Sequence, residues 1–186
     1  MIQGENVFIR QLELGDEEYL HKWWNSKEVM GHIGYEYGYL KSREAIRQKI
    51  LADIESQEIF PKEKLFMIIR RENKKPIGEI SYYDFDSRNQ KCKFNIKICD
   101  PADQGKGYGK DALYNFVDFL FKFLNLNKVD LKVLADNERG KRLYKSIGFK
   151  EIGYIRKDCF DSRSGEFVDI LYMDLLKEDW IKIREN

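Results

Sequence analysis

Apolar residues recur along the chain with two different spacings, and the order of the two predicts the fold. In the first half, short apolar runs alternate with polar positions; within 91–99, for example, Cys92 and Phe94 alternate with lysines. Polar turns at 72–75 and 86–89 separate the last three runs, which is typical of an antiparallel meander. The strands predicted in this half are 7–12, 65–70, 76–86 and 91–99.

The second half of the chain alternates helical and strand patterns. Residues 107–124 carry the longest helical repeat, with an apolar stripe along one face. A strand, a crossover helix and a second strand make a parallel pair, so parallel strands join the antiparallel ones. We therefore predict an α+β (mixed α/β) fold, a central mixed sheet of about six to seven strands with helices on both faces. The other predicted elements are helices at 16–24, 42–55 and 137–147 and strands at 127–135, 149–155 and 167–175.

Length and charge limit the classes of partner. A chain of 186 residues suits one domain with a sizeable core, so we expect 1–186 to be a single domain. With 33 basic and 32 acidic residues the net charge is +1, which gives no bulk attraction to nucleic acid or to an anionic membrane. No apolar run approaches the roughly 18 residues of a membrane span, and the N-terminus lacks a signal-peptide core. We expect a cytoplasmic protein.

The cysteines predict neither a disulfide framework nor a metal site. Cys92, Cys99 and Cys159 are few and odd in number, which fits a reducing compartment. Cys92 and Cys99 are too far apart in sequence for a zinc-binding pair, so no metal is expected.

A glycine-rich turn at 100–110 is the most informative segment. It lies between a predicted strand and a predicted helix, and it contains Gly105, Gly107 and Gly109. Without Cβ atoms the backbone can approach a ligand closely, and the helix N-terminus favours an anion. Lys106 adds positive charge, as does Lys110 at the end of the segment, so we predict a diphosphate-binding turn.

Two nucleotide motifs compete for this turn. A P-loop needs Gly-x-x-x-x-Gly-Lys-Ser/Thr, but Gln104 and Asp111 occupy two of the required positions. A dinucleotide fingerprint matches from Gly107 to Ala112, but Asp130, its candidate ribose ligand, lies early in its strand. A glycine-rich turn that only closes a loop is the structural alternative.

A third motif fits more of the chain. Residues 104–109 have the form Gln/Arg-x-x-Gly-x-Gly/Ala, and Asn137, Tyr144 and the pair Gly148–Phe149 follow in order on the next strand and helix. In these features the chain resembles the GNAT superfamily of acyl-CoA N-acetyltransferases. The N-terminal segment resembles the branch with ribosomal-protein alanine and spermidine acetyltransferases.

The resemblance implies that acetyl-CoA is the cosubstrate and that its acetyl group passes directly to an amine acceptor. The pyrophosphate would bind the backbone of the turn, and the pantetheine would lie along 94–99 and contact Asn137. Main-chain N–H groups at Lys97 or Ile98 would stabilise the oxyanion. The residues so implied for cofactor binding are Lys97, Ile98, Gln104, Gly105, Lys106, Gly107, Tyr108, Gly109, Lys110 and Asn137.

Tyr144 is the implied general acid, which would protonate the departing CoA thiolate. A phenol of pKa about 10 and a thiol of about 8.5 make this transfer nearly balanced. For the acceptor side we name Tyr35, Glu36, Tyr37 and Glu79 as candidate substrate-binding residues, with Glu36, Glu79 and Asp84 as candidate bases. Trp23 and Trp24 lie at helical spacing and are assigned to the core.

Three functions remain in play on the sequence alone. The leading one is an N-acetyltransferase that acts on a protein N-terminus or a small-molecule amine. Ser81 stands where spermidine enzymes carry a carboxylate, which disfavours a polyamine acceptor. The alternatives are a non-catalytic acyl-CoA-binding or regulatory module, motivated by the absence of an obvious base, and a dinucleotide-binding enzyme. A homodimer is compatible with the late strands.

Overall fold

The computed structural model describes residues 1–185, and its strands form one twisted mixed sheet. The order across the sheet is β1-β2-β3-β4-β5-β6-β8-β7. All neighbouring pairs are antiparallel except β5 and β6, which are parallel. The strands are β1 (Ile2–Gln3), β2 (Val7–Gln11), β3 (Lys64–Arg70), β4 (Pro76–Asp86), β5 (Lys91–Ile98), β6 (Lys128–Leu134), β7 (Lys150–Asp161) and β8 (Glu166–Leu176).

Helices cover both faces of this sheet, as predicted. On one face α4 packs six buried side chains, Ala112 to Phe121, against alternate strand residues such as Phe66 and Ile68. On the other face the first three helices cover Met67 and its alternate neighbours. The helices are α1 (Glu17–Trp24), α2 (Lys27–Met30), α3 (Arg43–Glu55), α4 (Tyr108–Lys122), α5 (Glu138–Ile147) and α6 (Lys177–Glu185), with 3-10 turns at Gly31–Ile33 and Pro101–Asp103.

Local sequence signals account for the helix ends. Ser42 caps α3 by accepting from the N–H of Ala45 at 3.1 Å, and Asn137 caps α5 by accepting from Gly140 at 2.9 Å. Gly148 ends α5 in the left-handed region, with φ of +112°, as the sequence predicted.

Four features differ from the sequence prediction. The short β1, the short α2 and α6 were not predicted, because their patterns are too brief or too continuous with a neighbour to be recognised. Strand β7 continues past Ile155 through a polar stretch, where a bulge places Lys157 at φ of +52°. The carboxylate of Asp169 accepts from the N–H of Lys157 at 2.9 Å and so satisfies the bulge.

Candidate active site

The two parallel strands of the sheet separate soon after they begin. Strands β5 and β6 pair at Lys91–Lys128, Cys92–Val129 and Lys93–Asp130, and no further pair follows within residues 1–185. From Phe94 onwards the β6-facing edge of β5 is therefore open. An open strand edge offers backbone donors and acceptors that an extended ligand can use as an added strand.

The antiparallel ladder between β4 and β5 tells which backbone groups face the opening. Cys99 donates its N–H to the carbonyl of Ile77 at 2.8 Å, which makes this a hydrogen-bonded pair. Because such pairs alternate along the ladder, the N–H of Lys97 points to β4 and that of Ile98 points to the opening. Of the two candidate oxyanion donors, only the N–H of Ile98 has the required direction.

The segment before the glycine turn is fixed by charged and amide side chains. Asp100 accepts from Lys75 at 2.6 Å, and the buried Asp103 accepts from Arg70 at 2.8 Å. Gln104 donates to the carbonyl of Ile98 at 2.9 Å, which ties the turn to the end of β5. The turn thus begins at a rigidly held segment beside the open strand edge.

The rest of the turn, residues 105–110, has free space around two of its glycines. Gly105 and Gly107 have φ of +77° and +86°, and a Cβ added to either would meet nothing within 4 Å. Within the described chain, no group accepts a hydrogen bond from the backbone N–H groups of 105–110, which include Tyr108 and Gly109 in the first turn of α4. Unpaired N–H groups at a helix N-terminus favour an anionic ligand.

The charges around the turn suit the same ligand. Lys106 and Lys110 are exposed, and neither pairs with a carboxylate in residues 1–185. The neighbouring Asp111 is directed away, since its carboxylate accepts from the N–H groups of Glu5, Asn6 and Val7 at 2.7–3.0 Å. The only acidic side chain of the first turn of α4 is thereby used to anchor the N-terminal segment.

Helix α5 presents two of the predicted residues. Asn137 uses its side-chain oxygen to cap the helix, which leaves its amide NH2 without a partner in the described residues. The half-buried ring of Tyr144 packs edge-on against Phe94, with centroids 5.8 Å apart, and against Phe149 at 6.2 Å. Among residues 1–185 its hydroxyl has no hydrogen-bond partner. Burial, helped by the nearby Tyr83, raises the pKa of Tyr144 to about 12.

A buried ion pair occupies the opposite face of the sheet, under α1 and α2. Glu79 on β4 is 5% exposed, and its two oxygens accept from Lys97 at 2.6 Å and from the indole N–H of Trp24 at 2.8 Å. The ammonium of Lys97 also lies 5.7 Å from the ring centre of Tyr39. Burial alone would lower the pKa of Lys97, but the charge of Glu79 and its hydrogen bond raise that pKa overall.

The loop at 34–40 brings only part of the predicted acceptor set to this pair. Tyr35 packs edge-on against Tyr39 at 5.1 Å, and Tyr39 packs against Trp24 at 6.0 Å. Glu36 instead forms an ion pair with Lys27, and Tyr37 is 74% exposed. Asp84 pairs with Lys93 at 2.8 Å and is also exposed.

The turn between β7 and β8 fixes this loop. The hydroxyl of Ser162 donates to the carbonyl of Gly34 at 2.6 Å and accepts from the N–H of Glu36 at 2.7 Å. The N–H of Ser162 donates to the same Gly34 carbonyl at 3.1 Å. Residues more than 120 positions apart therefore set where Tyr35 lies.

Three side chains were not anticipated from the sequence. Trp24 was assigned to the core, Lys97 was chosen only for its backbone, and Ser162 was read as part of a turn. The available signal for Lys97 was cross-strand register, because a β4–β5 hairpin places Glu79 opposite Lys97, whereas Trp24 reaches Glu79 only by a contact between distant residues. Nothing local marks Ser162.

The described residues contain neither a membrane-spanning helix nor a metal-binding cluster. No helix in residues 1–185 is long and apolar enough to cross a membrane. Within the same residues, no group of three or more histidine, cysteine or acidic side chains is arranged to hold a metal ion.

Comparison with known proteins gives a consistent result. Residues 6–150 match the acetyltransferase (GNAT) domain family. The chain is 25% identical over 182 residues to a spermidine N(1)-acetyltransferase of Vibrio cholerae, an alignment that covers 98% of this chain and 99% of that protein. It is also 25% identical over 180 residues to an uncharacterized N-acetyltransferase, YnaD, of Bacillus subtilis, with 96% and 98% of the two chains covered.

Solved structures show the same likeness. The crystal structure of spermidine N-acetyltransferase from Vibrio cholerae in complex with CoA and spermine superposes with a TM-score of 0.82 at 25% identity. The superposition covers 95% of this chain and 98% of that one.

Proposed function

The chain belongs to the GNAT acetyltransferase family, and we propose that it transfers the acetyl group of acetyl-CoA directly to a primary amine held beside Glu79 and Trp24. That it is an N-acetyltransferase that uses acetyl-CoA follows from the family and its relatives. The proposal adds which residues act and how. The single observation that carries it is the open edge of β5, a strand that runs into the glycine turn and carries Lys97 of the Glu79 pair.

The residues of the turn fit the diphosphate of acetyl-CoA. The N–H groups of 105–110 have no protein acceptor in the described chain, and Lys106 and Lys110 are free of carboxylates there. In the proposal the pantetheine follows the β6-facing edge of β5 and meets the amide NH2 of Asn137. When bound, acetyl-CoA supplies the acetyl group as an activated thioester.

Ile98 is the proposed oxyanion donor. Its N–H points into the opening, where the thioester carbonyl would lie if the pantetheine extends β5. Backbone donors fixed before the reaction stabilise developing negative charge without reorganisation. This role makes no demand on the Ile98 side chain, which packs partly buried against the core.

Tyr144 is the proposed proton donor to the CoA sulfur. With a pKa of about 12, its hydroxyl is a weaker acid than an exposed phenol, and donation to the thiolate of a thiol whose pKa in water is about 8.5 would cost about 5 kcal/mol. The sulfur, however, would leave in the same apolar surroundings. Burial raises the pKa of a thiol in this fold too, as it does for Cys92 on β5. A CoA sulfur shielded from water would shift in the same direction, which lowers the cost of the transfer.

None of the candidate bases named from the sequence is unpaired. Glu79 is held by Lys97 and Trp24, and the other two candidate bases, Glu36 and Asp84, are paired with lysines. We therefore propose that the acceptor binds with its amine already neutral. An α-amine of pKa about 7.7–8.0 meets this condition at neutral pH far more often than a lysine-type amine of about 10.4.

Two measurements on the purified protein test the proposal. Calorimetric titration with acetyl-CoA is expected to show saturable one-site binding, and a thiol-release assay with a panel of primary amines is expected to show turnover. The panel should include peptides with a free N-terminus, small monoamines and polyamines. Binding without thiol release from any amine would instead support a non-catalytic acyl-CoA-binding role.

A further inference from the structure

The relatives that act on spermidine raise the question of which amines this site accepts, and the charges around Glu79 bear on it. Glu79 is the buried carboxylate on the acceptor face, and both of its oxygens are already used. Lys97 supplies a full positive charge at 2.6 Å, so the pair is neutral overall. The neutral pair offers no net attraction to an incoming cation.

Lys97 is held firmly in this position. It is largely buried, it contacts the sulfur of Met30 at 3.5 Å, and it lies against the ring of Tyr39. Moving its ammonium aside would leave Glu79 buried without a partner charge, which is costly. An ammonium group that displaced Lys97 would itself pair with Glu79, but it would leave the largely buried ammonium of Lys97 without a partner charge, which is equally costly.

The other carboxylates considered for this face are compensated in the same way. Glu36 pairs with Lys27, and Asp84 pairs with Lys93 at 2.8 Å. A polyamine at neutral pH carries several cations along a short chain. Each cation that leaves water needs a carboxylate that is not already paired.

We propose that the acceptor is a monoamine and that the ammonium of Lys97 excludes polycationic amines from the site. The inference rests on the proposed function, because it concerns the acceptor of the same transfer. Lys97 acts here through its side chain, as a specificity-determining residue, and not through its backbone.

The test compares amines of different charge in the thiol-release assay. For the wild-type protein, kcat/KM is expected to be roughly tenfold or more higher for heptylamine, or for a lysine-free peptide with a free N-terminus, than for spermidine. Lys97→Met keeps most of the side-chain volume, removes the cation and frees Glu79. It is expected to raise kcat/KM for spermidine about tenfold relative to the monoamine.

Two further variants control for charge and folding. Lys93→Met makes the same change in net charge beside the exposed Asp84, and it is expected to leave the monoamine-to-spermidine ratio unchanged. The double variant Glu79→Gln with Lys97→Met leaves no buried charge at the pair and is expected to keep the wild-type preference. If Lys97→Met alone does not fold, Lys97→Gln decides the question, because it removes the same charge, can still donate a hydrogen bond to Glu79, and is expected to give the same gain for spermidine.

The outcomes separate the two proposals. Equal or better use of spermidine by the wild-type protein would overturn the monoamine assignment and leave the transfer itself intact. An unchanged ratio in folded Lys97→Met would overturn the role of Lys97. No thiol release with any amine, despite acetyl-CoA binding, would overturn the proposed function and the inference with it.

Discussion

The donor and acceptor sides of the proposed site are built in opposite ways. The donor side consists of backbone groups from one continuous segment, the turn at 104–110, together with the adjacent edge of β5. The acceptor side consists of side chains from four separate places: Trp24 on α1, Tyr35 and Tyr39 in a loop, Glu79 on β4 and Lys97 on β5.

This difference explains how each side can vary. Backbone N–H groups recognise a diphosphate whatever the side chains are, so the donor side requires mainly glycine and a helix start. On the acceptor side a single substitution alters charge or shape directly. Relatives that share the fold and acetyl-CoA can therefore differ in the amine that they accept.

The largest expected effect is on turnover and tests Tyr144, the proposed proton donor. Tyr144→Phe removes a hydroxyl that has no partner in the described chain and keeps the ring that packs on Phe94 and Phe149. Turnover should fall roughly 100-fold, with little change in acetyl-CoA affinity. Steady-state thiol release and calorimetry measure the two quantities. Full turnover would assign the proton donor elsewhere.

A second prediction breaks the donor side through its backbone. Gly107 has φ of +86°, so Gly107→Val forces a β-branched residue into a strained region. If the turn relaxes to relieve about 1–3 kcal/mol of strain, the Kd for acetyl-CoA should rise roughly 10- to 100-fold.

Gly15→Val is the matched control for this change. Gly15 has φ of +103° in an equally open turn before α1, away from the glycine loop. Both variants should lose similar stability in thermal melts, and only Gly107→Val should lose affinity. Equal loss of affinity in both variants would mean that the turn is not the binding element.

The same contrast decides how much of the molecule the sequence predicts. The donor turn, its helix and the cap at Asn137 are local patterns, and the structure contains the predicted elements at nearly the predicted positions. The acceptor side depends on contacts between distant residues, such as Glu79 with Trp24 and Ser162 with Gly34. No short-range pattern encodes those contacts, and Glu36 and Tyr37 were chosen because they lie in an aromatic cluster near the N-terminus, where the resemblance implies the acceptor wall.

A third prediction sharpens the acceptor side. Ser162→Ala removes the hydroxyl that joins the β7–β8 turn to Gly34 and Glu36. Loss of these two hydrogen bonds, each about 0.5–1.5 kcal/mol, should loosen the loop that carries Tyr35 and raise the acceptor KM roughly fivefold. The Kd for acetyl-CoA should not change.

Ser146→Ala is the control for this change. It removes an exposed hydroxyl that bonds to Leu143 in α5 and should alter neither the acceptor KM nor the Kd for acetyl-CoA. A rise in the acetyl-CoA Kd of Ser162→Ala would instead show that the loop supports the donor side.

The smallest expected effect is a rate that stays level at high pH. Tyr144 donates only when its phenol is protonated, and burial raises its pKa to about 12, so the donor stays protonated until the pH approaches that value. The pKa of Lys97 is also raised, which keeps the Glu79 pair intact over the same range. With saturating acetyl-CoA and an α-amine acceptor, turnover should rise as the amine loses its proton near pH 8 and then stay constant to about pH 10. An exposed phenol would already be half ionised at about pH 10, and turnover that depended on it would be falling. A pH–rate profile, with circular dichroism to monitor folding, distinguishes a buried donor from an exposed one. A decline centred at pH 8–9 would identify a proton donor other than Tyr144.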